Sequence, residues 1–130
     1  MIHEKLVLDT DIVIHLLKKQ PQIIAKFINY LEFRTILLLS PVVISEVYAG
    51  AFEREYQSIE YLFNLCEHIA IDADIGRKAG KYANFYRKAY QGISLEDYIL
   101  AATAWKYSCP LWTCNHKHYP MKDITLIDLT

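Results

Sequence analysis

Residues 6–12 read Leu6-Val7-Leu8-Asp9-Thr10-Asp11-Ile12. Three bulky apolar residues in a row stop at two carboxylates that flank a threonine. Beyond them the apolar spacing changes to that of a helix. The stretch reads as a buried strand followed by a helix over residues 12–19. The same alternation repeats outward along the chain. Pro21 opens a second helix through residue 31, and residues 35–39 form a second apolar strand. Ser40 and Pro41 have the pattern of an N-cap and a first helical position, so a helix is expected over 42–49, ending near Gly50. Residues 53–64 read as helical, 68–71 as a third strand and 72–88 as another helix. Gly92 breaks the chain, and a helix beginning at Ser94 runs to 107. Pro110 stops it, residues 111–113 form a fourth strand, and 124–127 form the last. The strands are continuous apolar runs, the pattern of strands buried on both faces. Strands alternating with helices predict an α/β three-layer domain around a mostly parallel sheet.

Composition sets the outer limits. The chain has 130 residues, enough for one domain of ordinary size over 1–130. Hydrophobic residues make up 53% and charged residues 22%, which excludes a disordered chain. No apolar run approaches the roughly 20 residues of a membrane span. The opening Met1-Ile2-His3-Glu4-Lys5 lacks the charged-then-apolar design of a signal peptide, so a cytoplasmic protein without membrane contact is expected. Cys66, Cys109 and Cys114 are odd in number and without framework spacing, and read as reduced thiols. Fourteen Lys+Arg against 15 Asp+Glu give a net charge of −1. That balance argues against a histone-like partner but leaves room for nucleic acid where charge is segregated.

Ligands of a parallel α/β sheet bind outside the carboxyl ends of its strands. Asp9 and Asp11 follow the first strand, and Thr113, Cys114 and Asn115 follow the fourth. Glu46 has Val42, Val43, Ala49 and Gly50 as helical neighbours, none a cation. It reads either as a solvent-facing acid or as a site acid that needs a partner from elsewhere. Asp97 has Ile93, Ser94, Leu100 and Ala101 around it and also completes a Ser94-x-x-Asp97 capping box. Asp9, Thr10 or Asp11 can cap the first helix. One cap suffices, and two carboxylates at one strand end repel unless a cation neutralises them. Oxygen ligands of this kind suit Mg²⁺ or Mn²⁺ rather than zinc. A competing zinc reading uses Cys109, Cys114, His116 and His118, but their spacing matches no finger or ribbon pattern.

Four segments in this order resemble the PIN-domain ribonucleases, and among them the VapC toxins of prokaryotic toxin–antitoxin pairs. They are Leu6-Val7-Leu8-Asp9-Thr10-Asp11-Ile12, Ser45-Glu46-Val47-Tyr48-Ala49-Gly50, Asp97-Tyr98-Ile99-Leu100-Ala101-Ala102-Thr103-Ala104 and Thr113-Cys114-Asn115-His116-Lys117-His118-Tyr119. The resemblance covers essentially the whole chain. It implies a five-stranded parallel sheet of order 3-2-1-4-5 between helices. It implies catalytic residues Asp9, Glu46, Asp97 and Asn115, with the three acids holding a divalent metal. Thr10 would sit beside them and Thr113 would position the last motif; Asp11 is a further supporting residue. The implied reaction is metal-dependent hydrolysis of single-stranded or loop RNA by a homodimer, controlled by a VapB-like antitoxin. The chain departs from the family at Asn115, where many members carry Asp, and at His118, where an acid is often found. An amide can coordinate through oxygen or orient a water, but it brings no negative charge.

Charge is segregated as a polyanion partner requires. Residues 75–95 contain Arg77, Lys78, Lys81, Arg87 and Lys88 and no acid, and Arg87 and Lys88 lie nearest the turn that delivers Asp97. Tyr82, Phe85, Tyr86 and Tyr90 fall on one helical stripe, read as a packing surface for a second copy or an antitoxin helix. Two other functions stay open on the residues. Asp9-Thr10-Asp11 also resembles the aspartyl-nucleophile motif of haloacid-dehalogenase-like phosphatases. Asn115 also leaves room for a catalytically silent PIN-like module that binds nucleic acid or protein.

Overall fold

The structure is a computed structural model that describes residues 3–127. Strand β1 (Lys5–Leu8) lies at the centre, paired in parallel with β2 (Ile36–Leu39) on one side and β4 (Leu111–Trp112) on the other; β3 (Glu67–His68) pairs with β2. Among the described residues, six helices connect and cover the strands: α1 (Thr10–Leu17), α2 (Pro21–Glu32), α3 (Pro41–Ala49), α4 (Tyr56–Phe63), α5 (Ala73–Tyr86) and α6 (Leu95–Tyr107). A 3-10 turn over Glu53–Glu55 leads into α4, and another spans His116–His118. Parallel pairing forces crossover connections, and the helices supply them.

Among the described residues, the sheet has four strands in the order β3-β2-β1-β4. The expectation of five strands ordered 3-2-1-4-5 is therefore corrected. Residues 124–127 approach β4 in parallel, but only Leu111 and Leu126 form a bridge. Leu111 donates to the Thr125 carbonyl and accepts from the Ile127 N–H, both at 2.9 Å. Since β4 itself is two residues long, the segment has one bridge to make and no ladder to extend. The third strand is also shorter and more exposed than its apolar run suggested. It spans Glu67–His68, both exposed, because β3 is a sheet edge with only β2 beside it.

Leu6, Val7, Leu8, Leu37, Leu38 and Leu39 are buried almost completely, as expected of strands covered on both faces. Trp112 on β4 is fully buried and meets Tyr30 of α2 edge-to-face at 5.3 Å. Helix α6 packs on β1 and β4, and α5 packs on α6. No helix among the described residues is long and apolar enough to cross a membrane.

Gly92 takes φ 85° in the turn before α6, a region closed to most side chains. Ser94 then caps α6 in a reciprocal box: the Asp97 N–H donates to Ser94 Oγ and the Ser94 N–H to Asp97 Oδ2, both at 3.2 Å. Asp97 is thus aimed by the first turn of its own helix. Ser94→Ala is expected to lower stability by about 1 kcal/mol in urea denaturation. An unchanged midpoint would show that the box is idle.

Candidate active site

The end of β1 delivers Asp9 into the N-cap of α1, and the cap explains one of its bonds. Asp9 Oδ1 accepts from the Thr10 N–H at 2.7 Å. Its other oxygen serves the tertiary structure. Asp9 Oδ2 accepts from the Thr113 hydroxyl at 2.7 Å and from the Tyr119 hydroxyl at 2.9 Å. Burial raises the Asp9 pKa above the ordinary carboxylate value, the bonds from Thr113 and Tyr119 oppose that rise, and the charge of Asp97 adds to it.

Tyr119 joins two of the expected acids. Its hydroxyl lies 2.9 Å from Asp9 Oδ2 and 3.2 Å from Asp97 Oδ1. Burial and the two carboxylates push the phenol far above its usual range, so it stays protonated and its single proton serves both acids. His118 Nδ1 is 2.9 Å from Asp97 Oδ2, a contact that requires the proton on that nitrogen for the ring to donate.

Thr10 makes the second link. Its N–H bonds Asp9, and its hydroxyl donates to Glu46 Oε1 at 2.6 Å. Glu46 on α3 is exposed and touches neither Asp9 nor Asp97 by hydrogen bond. The expected trio is thus two contacts radiating from Asp9, through Tyr119 to Asp97 and through Thr10 to Glu46. Thr113 donates to Asp9 and accepts from the Asn115 N–H at 2.9 Å. The exposed Asn115 side chain makes no hydrogen bond among the described residues. Arg87 and Lys88 are exposed just past the end of α5 and touch none of the acids.

Asp11 has a structural task. Its Oδ2 accepts from the Cys114 N–H at 3.0 Å and ties the first turn of α1 to the segment after β4. Its Oδ1 is buried without a hydrogen-bond partner among the described residues. Burial, then the charge of Asp9, pushes the Asp11 carboxyl up to about 6. The unfolded chain ionises near its ordinary value, about pH 4. Between these two values ionisation favours the unfolded state, so this group lowers stability as pH rises through the window and holds it lowered above. Asp11→Asn in chelator should therefore raise Tm at pH 8 and change it little at pH 4. An equal effect at both pH values would deny the perturbed ionisation.

Among the described residues, no three His, Cys, Asp or Glu side chains gather into a group that could hold a metal ion. The residues of the zinc reading form no such group either. His116 Nε2 pairs with the Ile127 carbonyl and His118 with Asp97. Burial pushes the Cys109 thiol up to about 11. For a hard divalent ion the donor chemistry does fit. Mg²⁺ is ordinarily held by one or two carboxylates, with water and substrate phosphate completing its shell. Asp9 Oδ1 and Asp97 Oδ1 each receive one hydrogen bond and retain an acceptor position.

Sequence reasoning missed Tyr119 as a functional residue and His118 as the partner of Asp97. Both lie in the quoted segment after β4, but nothing local marks a tyrosine there as other than core.

An acid-lined edge beyond a parallel sheet, covered on both faces by helices, is the arrangement on which comparison with known proteins bears. A profile described as PIN domain matches residues 6–123, and the chain belongs to that family. Within it, the chain has the fold of the VapC-type members. It is 33% identical over 117 residues to Ribonuclease VapC19 of Mycobacterium tuberculosis (strain CDC 1551 / Oshkosh), across 88% of this chain and 91% of that protein. It is 31% identical over 117 residues to Ribonuclease VapC1 of Haemophilus influenzae (strain R2866), across 86% of this chain and 87% of that one. Among solved structures, VapBC-1 from nontypeable Haemophilus influenzae superposes with a TM-score of 0.81 at 27% identity, covering 96% of this chain and 98% of that chain.

Proposed function

We propose that this chain is a divalent-metal-dependent endoribonuclease, a single PIN domain over 1–130 that hydrolyses RNA phosphodiester bonds as the toxin of a VapBC-type pair. The observation that carries the reading is the Asp9–Tyr119–Asp97 link at the carboxyl end of β1. Two relatives named as ribonucleases support it. Asp9 and Asp97, with Glu46 reached through Thr10, are the residues that would hold Mg²⁺ or Mn²⁺. When bound, such an ion supplies charge stabilisation at a phosphodiester and lowers the pKa of water.

The chain's own residues do the rest. Thr113 and Tyr119 fix the inner oxygen of Asp9, and Tyr119, His118 and the Ser94 N–H fix Asp97. Glu46 keeps one oxygen free of protein donors and takes the proton of the attacking water. Asn115, with its amide free, orients that water or the scissile phosphate, and Asp11 keeps Asn115 in reach through the Cys114 N–H. Arg87 and Lys88 hold the phosphate backbone.

The chain acts in the cytoplasm as a homodimer and is restrained by a VapB-like antitoxin. A groove of about 220 Å³ between α1, α3 and α4, lined by Leu17, Val47, Ala51 and Ile59 and reaching Glu46, supports a docking place for that partner beside the acids.

The test is to incubate antitoxin-free protein with a pool of structured RNAs in Mg²⁺, Mn²⁺ or chelator, beside the Asp97→Asn variant. Cleavage is expected only with a divalent ion and only with Asp97. Cleavage that persists in chelator would overturn the metal requirement, and RNA binding without cleavage in any ion would favour the silent module.

A further inference from the structure

We propose that the outer face of α5, with Lys122 opposite it, is the surface that leads single-stranded RNA to the acids. The proposal rests on the ribonuclease reading and assigns it a route. Helices α5 and α6 run antiparallel. Lys106 in the last turn of α6 pairs with Asp72, the N-cap of α5, and lies 3.7 Å from Asp74. The far end of α5 is therefore level with the start of α6, where Asp97 sits. There the charge of Arg87 acts on the phenol of Tyr98, the residue after Asp97.

Along α5 runs a groove of about 340 Å³ lined by Lys78, Lys81, Tyr82, Phe85, Tyr86 and Lys122, together with Asp123, the acid that Lys78 pairs with. The expected packing stripe divides here. Tyr82 is buried and donates to Asp123 at 2.7 Å, whereas Phe85 is 75% exposed and Tyr90 is 45% exposed. Tyr86 braces Phe85 edge-on at 4.8 Å, and Tyr90 follows at 6.0 Å from Tyr86. A ring held from below and open above is a stacking platform for a base, available in single strands and not in a duplex. The rings climb the helix toward Arg87 and Lys88. The opposite wall, at Lys122, follows Tyr119 closely in the chain.

Charge selects the occupant. Lys78 is bound to Asp123 at 3.0 Å, but Lys81, Arg87, Lys88 and Lys122 have no carboxylate partner among the described residues. A second copy docked here about a two-fold axis would set these four cations against their own images, which is repulsive. A phosphate backbone with unstacked bases satisfies both the cations and the rings.

Fluorescence anisotropy of the Asp97→Asn chain, which binds without cutting, tests the route. The probes are an unstructured labelled RNA of about twelve nucleotides, chosen to span a typical single-strand site, and the same RNA annealed to its complement. Phe85→Ala is expected to weaken single-strand binding about tenfold and leave the duplex nearly unchanged. Lys81→Gln with Lys122→Gln should reduce the log–log salt slope by about 0.7 per lysine. All three positions are exposed, and melting curves confirm that the variants fold. Variants that bind like the parent overturn the proposal alone, provided the wild-type chain cleaves RNA. A parent chain that binds no RNA overturns it together with the ribonuclease reading. A shift in sedimentation mass with unchanged RNA binding would assign the face to a second copy instead.

Discussion

Asp9→Asn is expected to slow RNA cleavage at saturating Mn²⁺ by about a thousandfold, equivalent to about 4 kcal/mol of transition-state stabilisation. Asp9 is the hub of the site: it alone contacts Thr10, Thr113 and Tyr119 together. The amide loses the negative charge a hard cation needs. It also has one oxygen for three donors, so its NH₂ must face the Thr10 N–H or the two hydroxyls. That mismatch should lower stability in chelator by about 1–3 kcal/mol. The carboxylate repulsion relieved is the smaller effect, because the proton of Tyr119 already lies between Asp9 and Asp97. Single-turnover cleavage, Mn²⁺ titration and thermal melting check the three parts. A variant that cleaves and binds Mn²⁺ like the parent would remove Asp9 from the site.

Tyr119→Phe should cost about 2 kcal/mol of stability in chelator, the scale of a buried hydrogen bond to a charged group. It removes one hydroxyl and leaves the ring volume, so packing is conserved. Without the shared proton, Asp9 and Asp97 face each other bare. A divalent ion bound there would take over that neutralising role, so Mn²⁺ should raise Tm more in the variant than in the parent. Cleavage should fall about tenfold to a hundredfold, because the carboxylates lose the brace that sets their separation. An equal Mn²⁺-induced shift in both proteins would reduce Tyr119 to an ordinary core residue.

Ser94→Ala and Asp11→Asn probe the same framework from its edges. One loosens the turn that aims Asp97, the other removes a buried charge from the first turn of α1, where it holds the segment that carries Asn115.

The alternation of strands and helices was legible because burial on both faces leaves uninterrupted apolar runs, as in Leu6-Val7-Leu8 and Leu37-Leu38-Leu39. Caps were legible because their chemistry is local: Ser40 and Ser94 both cap their helices as expected. The fifth strand was over-read. Its apolar run is real, but ladder formation depends on the length of its neighbour, and β4 has two residues. The aromatic stripe was read as a unit, although the packing of α5 buries Tyr82 and leaves Phe85 outside.

At the site, residue types and their order along the chain sufficed to nominate Asp9, Glu46 and Asp97. An acid without a local cation must find a partner elsewhere or face water, and that can be reasoned from neighbours three and four residues away. The partners themselves lie 36 to 110 residues away in the chain: Thr10 for Glu46, Thr113 and Tyr119 for Asp9. No local pattern encodes such pairs. They exist because the parallel sheet brings the ends of β1 and β4 side by side and α6 delivers its first turn against them. The sequence alone thus determined the class of fold and nominated the carboxylates. Only the tertiary structure decided that one tyrosine proton holds Asp9 and Asp97 together, that Glu46 is reached through Thr10, and that Asp11 serves the loop after β4.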